Sequence, residues 1–276
     1  MTTIWVDGVL ADEDDRRVRI SAFDHGLMTG DGIFETLKIC EGRPFAMRRH
    51  LERLVRSAAG LGLAPPDPST VRDAVAAVIE ANRVFEGRAR ITVTGGPSPL
   101  GSDRGERGPT VIVATAALLP FPATTAVAVC PWPRNERGAL SGLKTISYGE
   151  NVVALGWARR QGAGEAIFAN LAGSLCEGTG SNVFLVRDGE LVTPPLSSGC
   201  LAGVTRDLLL DLIDAREVDV PVGALIEADE AFLSSSTREV QPIRAVDGRA
   251  LPAAPGPITA AALDALRALV ARDIDP

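Results

Sequence analysis

Leu140-Ser141-Gly142-Leu143-Lys144-Thr145-Ile146-Ser147-Tyr148 contains one of only two lysines in the chain. Lysine and arginine together number 28, and Lys38 is the other lysine. An arginine guanidinium stays protonated at any working pH, whereas a desolvated lysine can lose its proton and attack a carbonyl to form a Schiff base. We therefore interpret Lys144 as a Schiff-base residue. The alternative is an arginine-rich codon usage that left two lysines by chance.

Composition and charge restrict the class of protein. The 276 residues suffice for two domains with separate cores. The formal net charge of -7 argues against a surface for nucleic acid or anionic membranes, which needs a basic face. No stretch is long and apolar enough to span a bilayer, so we expect a soluble cytoplasmic protein. The four cysteines are widely spaced and indicate neither a zinc site nor a disulfide framework; we expect them to be reduced and mostly buried.

Alternating and helical patterns predict an α/β (α+β) protein. A mainly antiparallel sheet is predicted to begin with strands over Thr3–Leu10 and Arg16–Ala22. Helical spacing predicts one helix over Phe45–Gly60 and a second that runs to about Val84, with Ser69 as its cap. The prolines in residues 119–123 are typical of a linker.

Two further glycine-containing motifs flank predicted elements. Asp24-His25-Gly26-Leu27-Met28-Thr29-Gly30-Asp31-Gly32-Ile33-Phe34-Glu35 turns tightly into a strand over Ile33–Cys40. Gly203-Val204-Thr205 stands at a predicted helix start, where unpaired N–H groups and the positive dipole end favour a phosphate.

The polar segment Ser102–Gly108 is either a loop over a site or a solvated hairpin tip, and we favour the tip.

Five separated motifs, in one order from Asp24 to Pro242, resemble those of the class IV aminotransferases, the pyridoxal-phosphate enzymes of fold type IV. That family includes branched-chain aminotransferases, D-amino-acid aminotransferases, R-selective amine aminotransferases and 4-amino-4-deoxychorismate lyases. The resemblance implies pyridoxal 5'-phosphate as cofactor and a homodimer. It also implies a small N-terminal α/β domain, residues 1–118, and a larger cofactor-binding domain, residues 124–276, with a β-barrel-like sheet.

The resemblance also implies roles for individual residues. Lys144 would hold the cofactor, and Tyr148 would lie near its phenolic oxygen. Glu177 opens Glu177-Gly178-Thr179-Gly180-Ser181-Asn182-Val183-Phe184, which is similar to the family's E-x-x-x-S-N-x-F signature. Its carboxylate would keep the pyridine nitrogen protonated, so that the ring accepts electrons. The 5'-phosphate would be held by the guanidinium of Arg53, the backbone of Val204 and Thr205, and the hydroxyl of Ser236.

Substrate residues are less sharply predicted. Phe34, Arg104 and Thr237 are expected to contact substrate, and its carboxylate could be held by any of four arginines, which are Arg104, Arg107, Arg134 and Arg137. The arginine and histidine that typical D-amino-acid enzymes use after the strand Arg90–Thr94 are missing. This departure weakens the simplest D-amino-acid assignment.

We therefore expect a transaminase that uses a Lys144 Schiff base and passes an amino group to a keto acid. The expected donor is an amino acid, first of all a D-amino acid, and the alternative donor is an R-amine. The runner-up is a 4-amino-4-deoxychorismate lyase that releases pyruvate and 4-aminobenzoate. Two other classes stay open: a non-catalytic protein that binds the cofactor, and an unrelated α/β enzyme that uses Lys144 on its own substrate. Partners are expected to be small molecules, without nucleic acid, membrane or metal.

Overall fold

The computed structural model describes residues 2–276 as a mixed α/β protein whose chain divides into two compact units. Unit 1 contains the chain up to Leu119 together with Leu143–Tyr148 and Asp273–Pro276. Unit 2 contains Pro120–Gly142 and Gly149–Arg272. The first change of unit falls inside the predicted linker, whereas the Lys144 segment groups with unit 1 because its backbone pairs with a strand there.

Unit 1 is built on a six-stranded antiparallel sheet with the strand order β2-β1-β6-β5-β3-β4. Its strands are β1 Thr3–Val6, β2 Val9–Asp12, β3 Gly32–Cys40, β4 Arg43–Pro44, β5 Gly87–Thr94 and β6 Thr110–Ala117. Its helices are α1 His25–Thr29, α2 Met47–Leu61 and α3 Pro68–Asn82. The antiparallel sheet and the helix over Phe45–Gly60 are thereby confirmed, the helix within two residues at each end.

Three local predictions in unit 1 are wrong. The predicted strand over Thr3–Leu10 is a hairpin, because Asp7 and Gly8 adopt positive φ and turn the chain between β1 and β2. Residues Arg16–Val18 form a short 3-10 helix rather than a strand, because the Asp15 side chain accepts a hydrogen bond from the backbone of Arg17 and caps a turn. The cap of α3 is Asp67, not Ser69. A proline at the first helical position needs no N–H partner, so the helix begins one residue before Ser69.

The two faces of β3 have different environments. Ile33, Leu37 and Ile39 are fully buried and pack with α2 and α3 in one apolar core. Side chains alternate along a strand, so Phe34 projects from the opposite face. The apolar core of unit 1 therefore lies on one face of β3, and the Phe34 side chain lies on the other.

Unit 2 contains a nine-stranded sheet in the order β12-β11-β10-β13-β14-β7-β8-β9, with β15 paired to β14. Its strands are β7 Thr125–Val129, β8 Glu165–Ala169, β9 Leu175–Gly178, β10 Asn182–Arg187, β11 Glu190–Thr193, β12 Ala215–Glu217, β13 Glu230–Ser235, β14 Glu239–Val246 and β15 Arg249–Ala250. Its helices are α4 Gly149–Arg160, α5 Val204–Leu212 and α6 Pro257–Arg272. Parallel pairs (β7 with β8 and β14, β11 with β12) join antiparallel ones, so the sheet is mixed.

The four cysteines are all buried and none forms a disulfide, which confirms their predicted burial. Burial raises the pKa of the Cys176 thiol well above its usual range and that of Cys200 to about 11. Both thiols are therefore protonated at neutral pH. Within residues 2–276, every helix is too short or too polar to cross a membrane.

Candidate active site

The Lys144 backbone is held by β3 on one side and by α2 on the other. Phe34 N donates to Lys144 O at 2.9 Å, and Ile146 N donates to Gly32 O at 2.9 Å. Lys144 N donates to Ser57 Oγ of α2 at 3.3 Å. These hydrogen bonds fix the backbone position of Lys144, although the residue lies outside the strands and helices.

The ring of Phe34 organises the side chains around Lys144. Lys144 Nζ lies 4.4 Å from the ring centroid, and the guanidinium carbon of Arg90 lies 3.9 Å from it. The Tyr148 ring meets Phe34 edge-on, with 5.2 Å between centroids. Cations are attracted to the negative face of an aromatic ring, so one buried phenylalanine holds two cations and the predicted cofactor tyrosine in one cluster.

Arg53 lies in a buried ion-pair network. Its Nε donates to Glu35 Oε1 at 2.8 Å and its Nη2 to Glu35 Oε2 at 2.7 Å. His50 Nδ1 lies 2.7 Å from the same Oε2. Glu35 comes from the buried face of β3, and His50 and Arg53 stand one turn apart on α2. The two-pronged geometry fixes the orientation of the guanidinium.

Burial and charge set the protonation states of this network. Burial alone would raise the pKa of Glu35, but the charge and hydrogen bonds of Arg53, followed by those of His50, hold that pKa well below its usual value. Burial lowers the pKa of His50, and the carboxylate of Glu35 offsets this only in part. His50 is therefore neutral at pH 7 and donates its Nδ1–H to Glu35.

A second ion cluster holds the segment 102–108 against the glycine-rich motif. Arg104 Nε and Nη2 donate to the two carboxylate oxygens of Asp31 at 2.7 and 2.6 Å. Its Nη1 and Nη2 also donate to the carbonyls of Gly62 and Leu61. Arg104 thus anchors the hairpin connection between β5 and β6, and its predicted role toward substrate would require these bonds to open.

His25 completes this cluster. Its Nδ1 lies 2.8 Å from Asp31 Oδ2, and its Nε2 lies 3.0 Å from the Gly101 carbonyl. The hydrogen bond to Asp31, followed by that to Gly101, raises the pKa of His25. The hydrogen bonds of Arg104 lower the pKa of Asp31. An open cavity of about 470 Å³ borders the cluster and is lined by His25, Thr29, Asp31, Ser102, Asp103 and Arg104.

In unit 2, Glu177 stands at the end of β9, with its carboxylate held by two groups. Leu201 N donates to Oε2 at 2.9 Å, and Arg134 Nε lies 3.4 Å from Oε1. Arg134 also donates to Asn151 Oδ1 at 3.2 Å, and its guanidinium carbon lies 4.0 Å from the centroid of the Phe168 ring. An N–H group and a positive charge both favour the ionised carboxylate. Arg134, a candidate for the substrate carboxylate, is thus next to a carboxylate of its own unit.

The motif at residues 203–205 forms the start of α5, as predicted. The helix begins at Val204, and Gly203 occupies the cap position without a side-chain hydrogen bond to the first turn. The first N–H groups of a helix have no partner within the helix. A Cβ at Gly203 would collide with Asn182 Oδ1, and Asn182 Nδ2 donates to the Leu201 carbonyl at 2.8 Å. Asn182 of the Glu177 signature therefore packs against the start of α5.

Ser236 and Thr237 lie in the tight turn between β13 and β14. Arg238 secures this turn, because its Nη2 donates to the buried Glu165 Oε2 at 3.0 Å. Ser181 Oγ of the signature also approaches Glu165 Oε2, at 3.4 Å. Glu165 thus ties the turn to the signature. It gave no signal in the sequence beyond its place at a strand start.

The residues in each unit fit pyridoxal 5'-phosphate chemically. Unit 1 presents the Lys144 amine beside Tyr148 and Phe34. Unit 2 presents the Glu177 carboxylate beside Arg134 and a helix start without a side-chain cap. An amine for the aldehyde, a carboxylate for the ring nitrogen and backbone N–H groups for the phosphate are the groups that this cofactor requires.

Known proteins with similar sequences and structures agree with this chemistry. The family model of amino-transferase class IV matches residues 32–246. A putative branched-chain-amino-acid aminotransferase of Methanocaldococcus jannaschii is 32% identical over 261 residues, which cover 90% of this chain and 89% of that protein. A D-alanine aminotransferase of Listeria monocytogenes is 29% identical over 279 residues, which cover 93% and 92%. The branched-chain aminotransferase of Escherichia coli superposes with a TM-score of 0.91 at 28% identity, over 97% of this chain and 94% of that one. These matches confirm the predicted fold class.

Proposed function

We propose that this chain, which belongs to the class IV aminotransferase family and depends on pyridoxal 5'-phosphate, takes its amino group from a D-amino acid and passes it to a keto acid. The D-alanine aminotransferase among its relatives, 29% identical, supports the D configuration of the donor, whereas the branched-chain relative is 32% identical. The observation that carries the proposal is the Lys144 amine fixed beside Phe34 and Tyr148.

Lys144 is proposed to act twice. Its Nζ would hold the cofactor, and its amine, when free, would accept the proton that leaves the substrate Cα. The cofactor supplies the electron sink for this proton loss. Phe34 limits where Nζ can lie, and the backbone bonds to β3 and Ser57 keep the lysine segment in place. Tyr148 is proposed to bind the phenolic oxygen.

The remaining cofactor contacts are proposed residue by residue. Glu177 would keep the ring nitrogen protonated, with Arg134 and Leu201 N holding its carboxylate in place. The phosphate would be bound by charge and by N–H and O–H donors, supplied by Arg53, the backbone of Val204 and Thr205, and Ser236. Phe34, Arg104 and Thr237 remain proposed substrate contacts.

The test is spectroscopic. Purified, cofactor-loaded protein is mixed separately with D-alanine, D-glutamate, L-leucine and an R-amine, and the visible absorption band of the bound cofactor is followed. We expect a D-amino acid to bleach the band and a keto acid to restore it. Bleaching by L-leucine or the R-amine alone would contradict the proposed donor. No bleaching, with pyruvate released from aminodeoxychorismate, would identify a lyase instead.

The Lys144→Ala variant tests the attachment. Borohydride reduction should trap the cofactor on the wild-type chain and not on this variant, as measured by peptide mass spectrometry. Lys38 is the internal control, since it is the only other lysine. Cofactor trapped on Lys38 would contradict the assignment.

We also propose that the enzyme acts as a homodimer in the cytoplasm on small molecules alone. The support for the dimer is the family resemblance. Light scattering after size-exclusion chromatography should give twice the mass of the chain across a wide concentration range, and the mass of a single chain would contradict this proposal.

A further inference from the structure

We infer that Glu165 and Arg238 are positioning residues, which fix the turn 236–238 against the Glu177 signature and thereby raise the affinity of the chain for the 5'-phosphate of its cofactor. This inference rests on the proposed contact between Ser236 and that phosphate. The two charged residues act through the turn rather than by contact with the cofactor.

The carboxylate of Glu165 is buried, and both of its oxygens contact the Glu177 signature. Oε1 accepts hydrogen bonds from Thr179 N at 3.2 Å and from Thr179 Oγ1. Oε2 lies 3.4 Å from Ser181 Oγ. The space inside this part of the signature is full, because a Cβ at Gly178 would collide with Ser181 Oγ and press on the Glu165 side chain. The chain that follows Glu177 is therefore folded around the Glu165 carboxylate.

Arg238 joins the same carboxylate to the turn between β13 and β14. Its Nη2 donates to Glu165 Oε2 at 3.0 Å, and its Nη1 donates to Gln241 Oε1 at 2.5 Å. The guanidinium carbon lies 4.6 Å from the centroid of the Phe121 ring, and the side chain is only 13% exposed. The turn contains three residues, and Ser236 is the first of them. A fixed Arg238 therefore restricts where the Ser236 hydroxyl can lie.

A path of contacts continues from Glu165 to the carboxylate of Glu177. Asn151 Nδ2 donates to the Thr179 carbonyl at 2.5 Å, and Asn151 Oδ1 accepts from Arg134 Nη1 at 3.2 Å. Arg134 Nε lies 3.4 Å from Glu177 Oε1. The group proposed for the ring nitrogen and the pair that holds the turn thus belong to one network. A rigid ligand binds more tightly when the groups that receive its two ends are already held in place.

Stability alone does not account for this ion pair. Removing two charges from water offsets most of their attraction, so an apolar pair of similar volume would stabilise the fold about as well. Charged hydrogen-bonding groups add geometry, because their distances and angles have a narrow range. Glu165 and Arg238 apply that geometry to a glycine-rich turn and a three-residue turn, which have few other constraints.

The test uses two ligands that differ only in the phosphate. Cofactor-free variants are titrated with pyridoxal 5'-phosphate and with pyridoxal, and the apparent Kd is taken from tryptophan fluorescence. Arg238→Met should raise the Kd of pyridoxal 5'-phosphate roughly 10- to 100-fold, the effect of one lost hydrogen bond to a charged group, and leave that of pyridoxal within about threefold. The matched control is Arg267→Gln, which removes an exposed arginine that pairs with Glu239 beside the turn and should change neither Kd. Arg238→Lys should restore part of the affinity.

A double variant separates positioning from folding. Arg238→Met leaves the Glu165 carboxylate buried without its cation, which by itself destabilises the chain. Glu165→Gln combined with Arg238→Met removes both charges, so its urea midpoint should lie closer to that of the wild-type chain. Its Kd for pyridoxal 5'-phosphate should nevertheless stay raised at least about 10-fold. Recovery of wild-type affinity in the double variant, or equal losses for the two ligands, would overturn the inference.

Ser236→Ala separates this inference from the proposal on which it rests. In the wild-type chain it should raise the Kd of pyridoxal 5'-phosphate, and in the Arg238→Met chain it should have a smaller effect, because the hydroxyl is already displaced. Additive effects would overturn the inference and leave the phosphate contact in place. No effect of Ser236→Ala in the wild-type chain would refute that contact, and the inference with it. If the chain converts no amino acid but Arg238→Met still weakens only the phosphorylated ligand, the transaminase proposal fails and the positioning role stands.

Discussion

Each unit contains a carboxylate beside an arginine, and the two pairs are built differently. In unit 1, Glu35 is 0% exposed and meets Arg53 through two short hydrogen bonds. In unit 2, the Glu177 side chain is 14% exposed and Arg134 Nε stays 3.4 Å away, without a hydrogen bond. The Glu35–Arg53 pair is thus enclosed by protein and held in one orientation by two hydrogen bonds. The second pair is looser, and its carboxylate keeps a small exposed fraction.

This difference separates a fully buried ion pair from one that keeps some contact with solvent. A buried pair contributes little net stability, but removing one partner leaves an uncompensated charge in the core. Loss of the charge of Glu177 costs less, because Arg134 keeps a second carboxylate, that of the exposed Glu150, and the amide oxygen of Asn151. The same substitution should therefore damage folding in unit 1 and chemistry in unit 2.

The largest effect on stability is expected for Glu35→Gln. The variant keeps the shape of the side chain but leaves the Arg53 cation buried without its counter-charge, so the free energy of unfolding should fall by roughly 3–5 kcal/mol. Urea unfolding of the cofactor-free protein measures this. The control is Glu190→Gln, which breaks the exposed pair with Arg216 and should cost less than about 1 kcal/mol. Similar losses for both variants would contradict the comparison.

The Glu177→Gln variant should show the reverse pattern. Its unfolding free energy should fall by less than that of Glu35→Gln, because Arg134 keeps Glu150 and Asn151 as partners when the charge of Glu177 is lost. The rate at which an amino-acid donor bleaches the cofactor should fall roughly 100-fold, since a neutral amide cannot keep the ring nitrogen protonated. Stopped-flow absorbance measures the rate. An unchanged rate would remove Glu177 from its proposed role.

A smaller effect concerns pH. The pKa of His50 is lowered in the folded state, so the unfolded chain binds the extra proton. The stability that His50 contributes is present above its unfolded pKa and is lost as pH falls below about 6.5, with a slope of at most about 1.4 kcal/mol per pH unit. His50→Asn should remove this slope in unfolding measured between pH 5 and 8.

His25 provides the control of opposite sign. Its pKa is raised by Asp31, so its contribution is present below its unfolded pKa and is lost as pH rises through the folded pKa. His25→Asn should therefore make stability fall more steeply toward acid, where His50→Asn makes it fall less. The same change of slope in both variants would contradict the two protonation states.

Much of unit 1 could be predicted because its signals are local. The alternation in β3 and the 3.6-residue period of α2 predicted those elements, whereas Arg53 was singled out by the family resemblance of the motif His50-x-x-Arg53. The errors at Arg16 and Ser69 arose where a neighbouring aspartate competed for the turn. The hydroxyl of Ser69 is suitable for capping a helix. Asp67 is the cap in the structure, because Pro68 occupies the first helical position.

Pairs that are distant in the chain could not be predicted in this way. No short stretch of sequence shows that Glu35 pairs with His50 and Arg53. The same is true of the ion pairs between Arg104 and Asp31 and between Arg238 and Glu165. Each of these contacts depends on the register between elements. That register is set by packing over the whole sheet rather than by the residues at the contact.

The sequence by itself indicated the chemistry expected of this protein: the scarce lysine predicts a Schiff-base amine, the Glu177 signature predicts a carboxylate for the ring nitrogen, and the helix start at Gly203 predicts a phosphate site. The tertiary structure alone decided which charges are matched. Arg53, Arg104 and Arg134 look like Arg90 in the sequence, yet each of the three lies against a carboxylate and Arg90 does not. An arginine's charge is the same everywhere in the chain, and only folding chooses its neighbours.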